Sequence, residues 1–171
     1  MATTTKPAGI ASDADMFLHV QAKRAGKIKG EASTPEHLDD IEVRSWTWGV
    51  SSAAAIGSTQ ATAKRQYRHL TIVKGIDSAS TSLLAALATN DEIKEATLTL
   101  RKAGGDALDY YVMTLGQARI VAIDIAVDEQ ARPTETVSFA YTRIEIEYKR
   151  QQATGISGAS TSFTDDVASS K

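Results

Sequence analysis

Apolar and polar residues alternate along most of the chain, and at two places the alternation changes sides. Between Asp40 and Ser51, Ile41 and Val43 are apolar on odd positions, whereas Trp46, Trp48 and Val50 are apolar on even ones. Neighbouring strand side chains point to opposite faces. The switch near Arg44–Ser45 therefore predicts a bulge or sharp twist, or a strand that passes from one packed surface to another. Thr136–Tyr148 repeats the pattern, with Val137, Phe139 and Tyr141 on odd positions and Ile144, Ile146 and Tyr148 on even ones. Two strands of this kind fit the bent strands of a small closed barrel or a two-sheet sandwich.

The remaining pattern is also mostly strand. Met16, Leu18 and Val20 share one face of a first strand, and Gly26–Gly30 reads as a turn or small strand. A polar loop from Glu31 to Asp40 leads into the tryptophan segment. Gln66–Lys74 is a third strand, with Leu70 and Ile72 facing one way and Tyr67, His69, Thr71 and Val73 the other. One helix follows, with Asp77, Ser78 and Ser80 as capping candidates. Its apolar stripe is read as Leu83, Leu84 and Leu87 with Ala85, Ala86 and Ala88, and Asn90 suits its exit. Ala96–Lys102 and Ala107–Leu115 flank Ala103-Gly104-Gly105-Asp106, whose glycine pair predicts a tight hairpin. Ala118–Val127 reads as a further strand, followed by a loop containing Pro133.

Runs of strands without alternating helices argue against a parallel α/β sheet. The predicted fold is mainly β: a small antiparallel β-barrel of two packed sheets with one flanking α-helix and an extended loop. Residues 1–14 are expected to be a flexible arm and 15–150 the barrel domain. Residues 151–171 are expected to be a Ser/Thr/Gly-rich tail with a possible short strand near Phe163. Trp46, Trp48, Leu84, Leu87 and Phe139 are the expected core anchors, since large apolar side chains gain most from burial.

Composition narrows the function classes. At 171 residues and 18.3 kDa, with 42% hydrophobic and 23% charged residues, the chain suits one well-buried core. A net charge of −2 offers no electrostatic reason to expect a nucleic-acid partner. Cysteine is absent, which excludes disulfides, thiolate metal sites and a cysteine nucleophile. No apolar run is long enough to cross a bilayer, and the first residues lack the apolar stretch of a secretory leader. The expectation is a protein made in the cytoplasm that, if exported, leaves without a cleaved signal and does not insert into membranes.

The residues of catalysis do not assemble in the sequence. His19, His37 and His69 are isolated and lack metal-ligand spacing, so they read as surface or half-buried histidines. Gly26–Gly30 lacks the Gly-Lys-Ser/Thr ending of a phosphate loop, and Gly155-Ile156-Ser157-Gly158 lacks the spacing of a nucleophile elbow. Asp124 interrupts an apolar face and reads as a strand-edge or ion-paired residue. Lys64, Arg65 and Arg68 around Tyr67 form a small basic cluster, better suited to a solvated or subunit-pairing face than to single-stranded nucleic acid. The expectation is a non-enzyme with no metal and no cofactor. Ser51–Gln60 is uncharged and built almost wholly of small residues, so it is expected to order against another surface.

These pieces together resemble the haemolysin-coregulated protein (Hcp) family. The resemblance is carried in order by Asp15-Met16-Phe17-Leu18, Ile28-Lys29-Gly30-Glu31 and Ile41 to Val50 with its Ser45-Trp46-Thr47-Trp48-Gly49 block. It continues through Asp77-Ser78-Ala79-Ser80 with Leu83-Leu84, Ile93-Lys94-Glu95-Ala96, Leu100 to Gly105 and Pro133 to Phe139. The chain departs from the family at Thr81, where proline is frequent, and in lacking a tryptophan near its end, where Phe163 and Val167 are the nearest apolar residues. The resemblance implies a barrel with a flanking helix that assembles into hexameric rings, which stack as the inner tube of the type VI secretion system. It implies a contractile sheath, a spike protein and effector proteins as partners, and secretion without a cleaved leader; with Lys171 the last residue, no fused toxin domain is expected. On that reading, Ser52, Ala54, Ile56, Gly57, Thr59, Gln60 and Arg65 are the expected subunit and ring contacts. A monomeric small-ligand-binding β-barrel with the tryptophans lining a pocket is the alternative.

Overall fold

Twelve strands and one α-helix form among the described residues of the computed structural model, which are 14–52, 65–102, 107–151 and 157–167. In chain order they are β1 (Ala14–Ala22), β2 (Gly26–Ile28), β3 (Ile41–Glu42), β4 (Ser45–Thr47), β5 (Val50–Ser52), β6 (Arg65–Tyr67) and β7 (Leu70–Lys74). These precede α1 (Ala79–Ala88), β8 (Ile93–Lys102), β9 (Asp109–Val127), β10 (Pro133–Ala140), β11 (Arg143–Gln151) and β12 (Ser157–Asp166). Ten strands belong to one antiparallel sheet with the path β2-β1-β8-β9-β10-β7-β4, while β3 joins β1 and the pair β11-β12 joins β9. The remaining two, β5 and β6, form a separate two-stranded ribbon. Of the expected arm, 1–14, Ala14 belongs to β1, and residues 1–13 lie outside the described residues.

The sheet curls because its apolar face must enclose one core. In one arm, directly paired residues Ile41, Leu18, Leu98, Met113, Ile146 and Phe163 form a row across β3, β1, β8, β9, β11 and β12. In the other, Trp46, Ile72, Val137 and Ile123 form a row across β4, β7, β10 and β9. Paired residues share a face, and both rows meet in the same core cluster up to Ile146. The first row runs out of cover at Phe163, which is 45% exposed.

The first phase switch is where this sheet closes on itself. β3 pairs with β1, whereas β4 pairs with β7. Between them Val43 N–H donates to the Met16 carbonyl at 2.9 Å and the next residue, Arg44, donates to the Val73 carbonyl at 2.8 Å. One segment thus joins the two flanks of the sheet, and its inward side changes as it crosses. The expected single strand is three short ones, and Val50, expected on the core side, is exposed because β5 has left the barrel. The second switch is a corner between β10 and β11 at Tyr141–Thr142, where Thr142 N–H donates to the Gly116 carbonyl at 3.3 Å. The strands expected at Ala107–Leu115 and Ala118–Val127 are one strand, β9. It pairs with β8 and β11 through its first half and with β10 through its second, turning at Gln117, whose φ is +49°. The expected Gly104-Gly105 turn lies outside the described residues, but Arg101 pairs with Asp109 across its base.

The helix packs on β9 and β2 through Ala79, Ser80, Leu83, Ala86 and the half-buried Leu87. Leu84 was expected as an anchor and is not one: it is 40% exposed, because it and Ala85 lie outside the i, i+3, i+4, i+7 stripe set by Ala79, Leu83 and Ala86. Leu83→Ala is expected to cost about 2–5 kcal/mol, whereas Leu84→Ala should change stability by less than about 0.5 kcal/mol. Urea unfolding of the two variants checks this; equal effects would contradict the stripe. Asp77 rather than Ser78 caps the helix, its Oδ1 accepting the Ala79 N–H at 2.9 Å. Asn90 ends it with φ +50°.

Two polar clusters sit inside this frame. Lys74 continues the inward face of Leu70 and Ile72 and is fully buried. Its ammonium lies 2.9 Å from Glu135 Oε2 and 2.8 Å from Asp77 Oδ1, and it donates to Ser80 Oγ at 3.1 Å. Ser80 in turn donates to Glu135 Oε2 at 2.7 Å. On the face of β1 opposite to Leu18 and Val20, His37 is buried in a short 3-10 turn (Pro35–His37) and stacks on Phe17 with centroids 4.5 Å apart. Its Nδ1 faces Asp40 Oδ2 and its Nε2 faces Asp109, each at 3.1 Å. Burial works against the charge of Asp40, yet hydrogen bonds with Lys27, His19 and His37 prevail and hold its carboxyl below the usual value. The sequence reading missed this cluster. Its one local signal is the three-residue spacing of His37 and Asp40; Phe17 and Asp109 come from distant strands.

Candidate functional site

The β5–β6 ribbon stands apart from the barrel, and its base is built from residues of four separate stretches. Val50 pairs with Tyr67, Ser51 with Gln66 and Ser52 with Arg65. All of β5 and the first two residues of β6 are exposed. Ser52 and Arg65, two of the expected subunit and ring contacts, therefore face each other at the outer end of the described ribbon. Ala54, Ile56, Gly57, Thr59 and Gln60 lie outside the described residues.

Both tryptophans sit at the inner end. Trp46 is half-buried, pairs with Ile72 and stacks on Tyr111 with centroids 6.0 Å apart. Trp48 is also half-buried and lies 6.3 Å from the Tyr67 ring at a tilt of 38°. Its indole N–H donates to the Tyr141 hydroxyl at 2.5 Å, and that hydroxyl donates to the Arg68 carbonyl at 2.8 Å. Arg68 N–H then donates to the Gly49 carbonyl at 2.9 Å. The Arg68 guanidinium packs over Gly49, and a Cβ there would make that side-chain end shift. Phe139, the remaining expected anchor, is fully buried.

The fourth stretch is the C-terminal strand. The Tyr67 hydroxyl donates to Asp165 Oδ2, and Arg65 Nη1 lies 3.2 Å from the same oxygen. Burial, then the hydrogen bond to Asp165 and its negative charge, push the Tyr67 phenol up to about 12. Burial also raises Tyr141, against the smaller opposing effect of the Trp48 N–H. The basic cluster read from Arg65, Tyr67 and Arg68 is thus partly neutralised within the chain.

Two open clefts are seen among the described residues, the first of them beside the ribbon base. One, of about 430 Å³, is lined by Thr47, Trp48, Tyr67, Arg68, His69 and Thr71. The other, of about 750 Å³, includes Met16, Phe17, Val43 and Ile76 with Asp15, Glu31, Glu42 and Asp77 at its walls. Among the described residues no group of three or more His, Asp or Glu side chains is arranged to hold a metal ion. No described helix is long and apolar enough to cross a membrane. The described ribbon presents exposed small and basic residues on a fixed base.

Comparison with known proteins gives concordant matches. The family model described as "Type VI secretion system effector, Hcp" matches residues 17–148. Protein Hcp1 of Pseudomonas aeruginosa is 28% identical over 145 residues, covering 82% of this chain and 86% of that protein. Among solved structures, Hcp1 from Salmonella typhimurium superposes with a TM-score of 0.74 at 26% identity, covering 92% of this chain and 97% of the other. A type VI secretion system effector from Yersinia pestis does so with a TM-score of 0.71 at 27% identity, covering 90% and 100%.

Proposed function

The chain belongs to the Hcp family of type VI secretion proteins, and from that premise we propose that it is a structural, non-enzymatic subunit of the secretion tube. Six copies join by a heterologous contact that closes into a ring. The rings stack into a tube within a contractile sheath, and the tube leaves the cell with its spike and with effector proteins. The observation that carries this reading is the β5–β6 ribbon. It projects exposed backbone and small side chains from a base fixed by Trp48, Tyr141 and Asp165. A short two-stranded ribbon is marginal in water by itself, and exposed strand edges favour pairing with another chain. The ligand-binding alternative fits less well, because Leu18, Leu98, Met113, Ile72 and Phe139 fill the interior that a ligand would occupy.

Size-exclusion chromatography with light scattering tests the proposal. The expected particle has about six times the 18.3 kDa monomer mass; a monomer at all concentrations overturns it. Replacing residues 53–64 with a two-residue turn is expected to leave rings intact and weaken their stacking. Negative-stain images showing tubes as long and as frequent as those of the parent chain would sink that assignment of the ribbon.

A further inference from the structure

We infer that Asp165, on the C-terminal strand β12, is the positioning residue that aims the β5–β6 ribbon at a second copy of this chain. The inference rests on reading the ribbon as an assembly element. It goes further by placing control of that element in a part of the chain about a hundred residues away in sequence.

The argument begins with geometry. Arg65 and Tyr67 are two apart on β6 and so point to the same face of the ribbon. Both reach the same oxygen of Asp165. That carboxylate is 14% exposed, whereas the Arg65 side chain is 49% exposed. The Arg65 pair is therefore the more screened of the two contacts. The Tyr67–Asp165 hydrogen bond has a charged acceptor and a half-buried phenol, and such charge-assisted bonds are about twice as strong as neutral ones.

Backbone continuity does not aim the ribbon. β5 and β6 pair with each other and belong to no other sheet. The strand exits at Trp48–Gly49 and Arg68–His69 are short non-strand links. The Trp48–Tyr141–Arg68 hydrogen bonds fix where the ribbon leaves the barrel. Asp165 adds a further contact, from the separate strand β12, to two residues of β6. Without it the ribbon is free to swing about its exit, and a contact with a second copy must then order it at the moment of binding, which weakens association.

The strand that carries Asp165 suits this role. β12 is held to β11 by a ladder of eight paired positions that runs from Arg143–Asp166 to Gln151–Ser157 with one irregularity. Most of its side chains are exposed, so packing explains little of its composition. The inward position of Asp165 opposite Ile144 is the exception.

The test compares the parent chain with Asp165→Ala, Tyr67→Phe and the double variant, using light scattering across a dilution series and melting temperature by circular dichroism. Asp165→Ala and Tyr67→Phe are each expected to raise the concentration needed for assembly roughly tenfold, with melting temperatures unchanged and the double variant no worse than either. Alkaline titration of tyrosinate absorbance gives a readout that general destabilisation does not mimic. The Tyr67 phenol, pushed up to about 12 by burial and Asp165, should titrate lower in Asp165→Ala, and its transition should be missing from Tyr67→Phe. If Asp165→Ala does not fold, Tyr67→Phe alone decides, since it keeps the packed ring and deletes the hydroxyl.

Assembly of both variants at parental concentrations overturns the inference and leaves the tube reading standing. Loss of assembly that merely follows a fall in melting temperature overturns it too. A parent chain that never assembles overturns both readings.

Discussion

Lys74→Met is expected to lower the unfolding free energy by about 3–5 kcal/mol, because removing one partner of a buried ion pair leaves the other charge uncompensated. Glu135 is fully buried, and its Oε1 has no hydrogen-bond partner among the described residues. Lys74 supplies the nearby positive charge, and the Ser80 hydroxyl is then all that remains on Oε2. Asp77 loses the same ammonium. Glu135→Leu should cost less, since Lys74 keeps Asp77 at 2.8 Å. The double variant Lys74→Met/Glu135→Leu should recover much of the loss, as replacing buried pairs by apolar residues is often neutral or better. A double-mutant cycle in urea checks all three values. A single Lys74→Met effect below about 1 kcal/mol would contradict the account.

That cluster also shows how far the sequence could be read. Lys74 has the same parity as Leu70 and Ile72, and Glu135 the same parity as Val137 and Phe139. Both inward positions were therefore visible in the alternation. Their pairing was not, because Lys74 and Glu135 are 61 residues apart and meet through the β7–β10 register. The Asp77-Ser78-Ala79-Ser80 motif gains a physical account from the same cluster. Asp77 caps the helix and faces Lys74, while Ser80 bridges Lys74 to Glu135.

The fold class was legible because period-two alternation reports burial on one face, and both phase switches coincide with places where the chain changes sheet neighbours. Other features were hidden for definable reasons. Val50 keeps the apolar alternation of Trp46 and Trp48 after the strand has left the barrel, so pattern alone places it inside. β9 reads as two strands because the turn at Gly116–Ala118 interrupts one face. β12 gave a weak signal because its side chains are mostly exposed and it is held by backbone pairing with β11, which leaves little mark on composition. The β5–β6 ribbon was legible only as the edge of an uncharged run of small residues. Its anchorage by Tyr67 and Asp165 depends on a contact spanning 98 residues, which periodicity cannot reveal.

Phe139→Ala is the other substitution expected to take a large share of the stability, about 3–5 kcal/mol. Phe139 is fully buried at the end of β10, paired with Leu70 on one side and Ile120 on the other. The β9–β10 register shifts between Ser138 and Phe139, so the ring fills the space where the sheet turns toward the Tyr141–Thr142 corner. Neighbours on a hydrogen-bonded sheet cannot collapse freely into a cavity at such a corner, which places the cost toward the upper part of that range. Phe139→Leu retains most of the apolar volume and should cost less than about 1.5 kcal/mol. Against a typical domain stability of about 5–15 kcal/mol, the alanine variant would leave little margin. The ribbon base lies around Trp48 and Asp165, so under conditions where Phe139→Ala stays folded, its assembly should match that of the parent chain. Urea midpoints at unchanged denaturant slope, with light scattering on the same samples, separate the two effects. A Phe139→Ala chain that is fully stable yet monomeric would mean that this core position, rather than the ribbon, sets association.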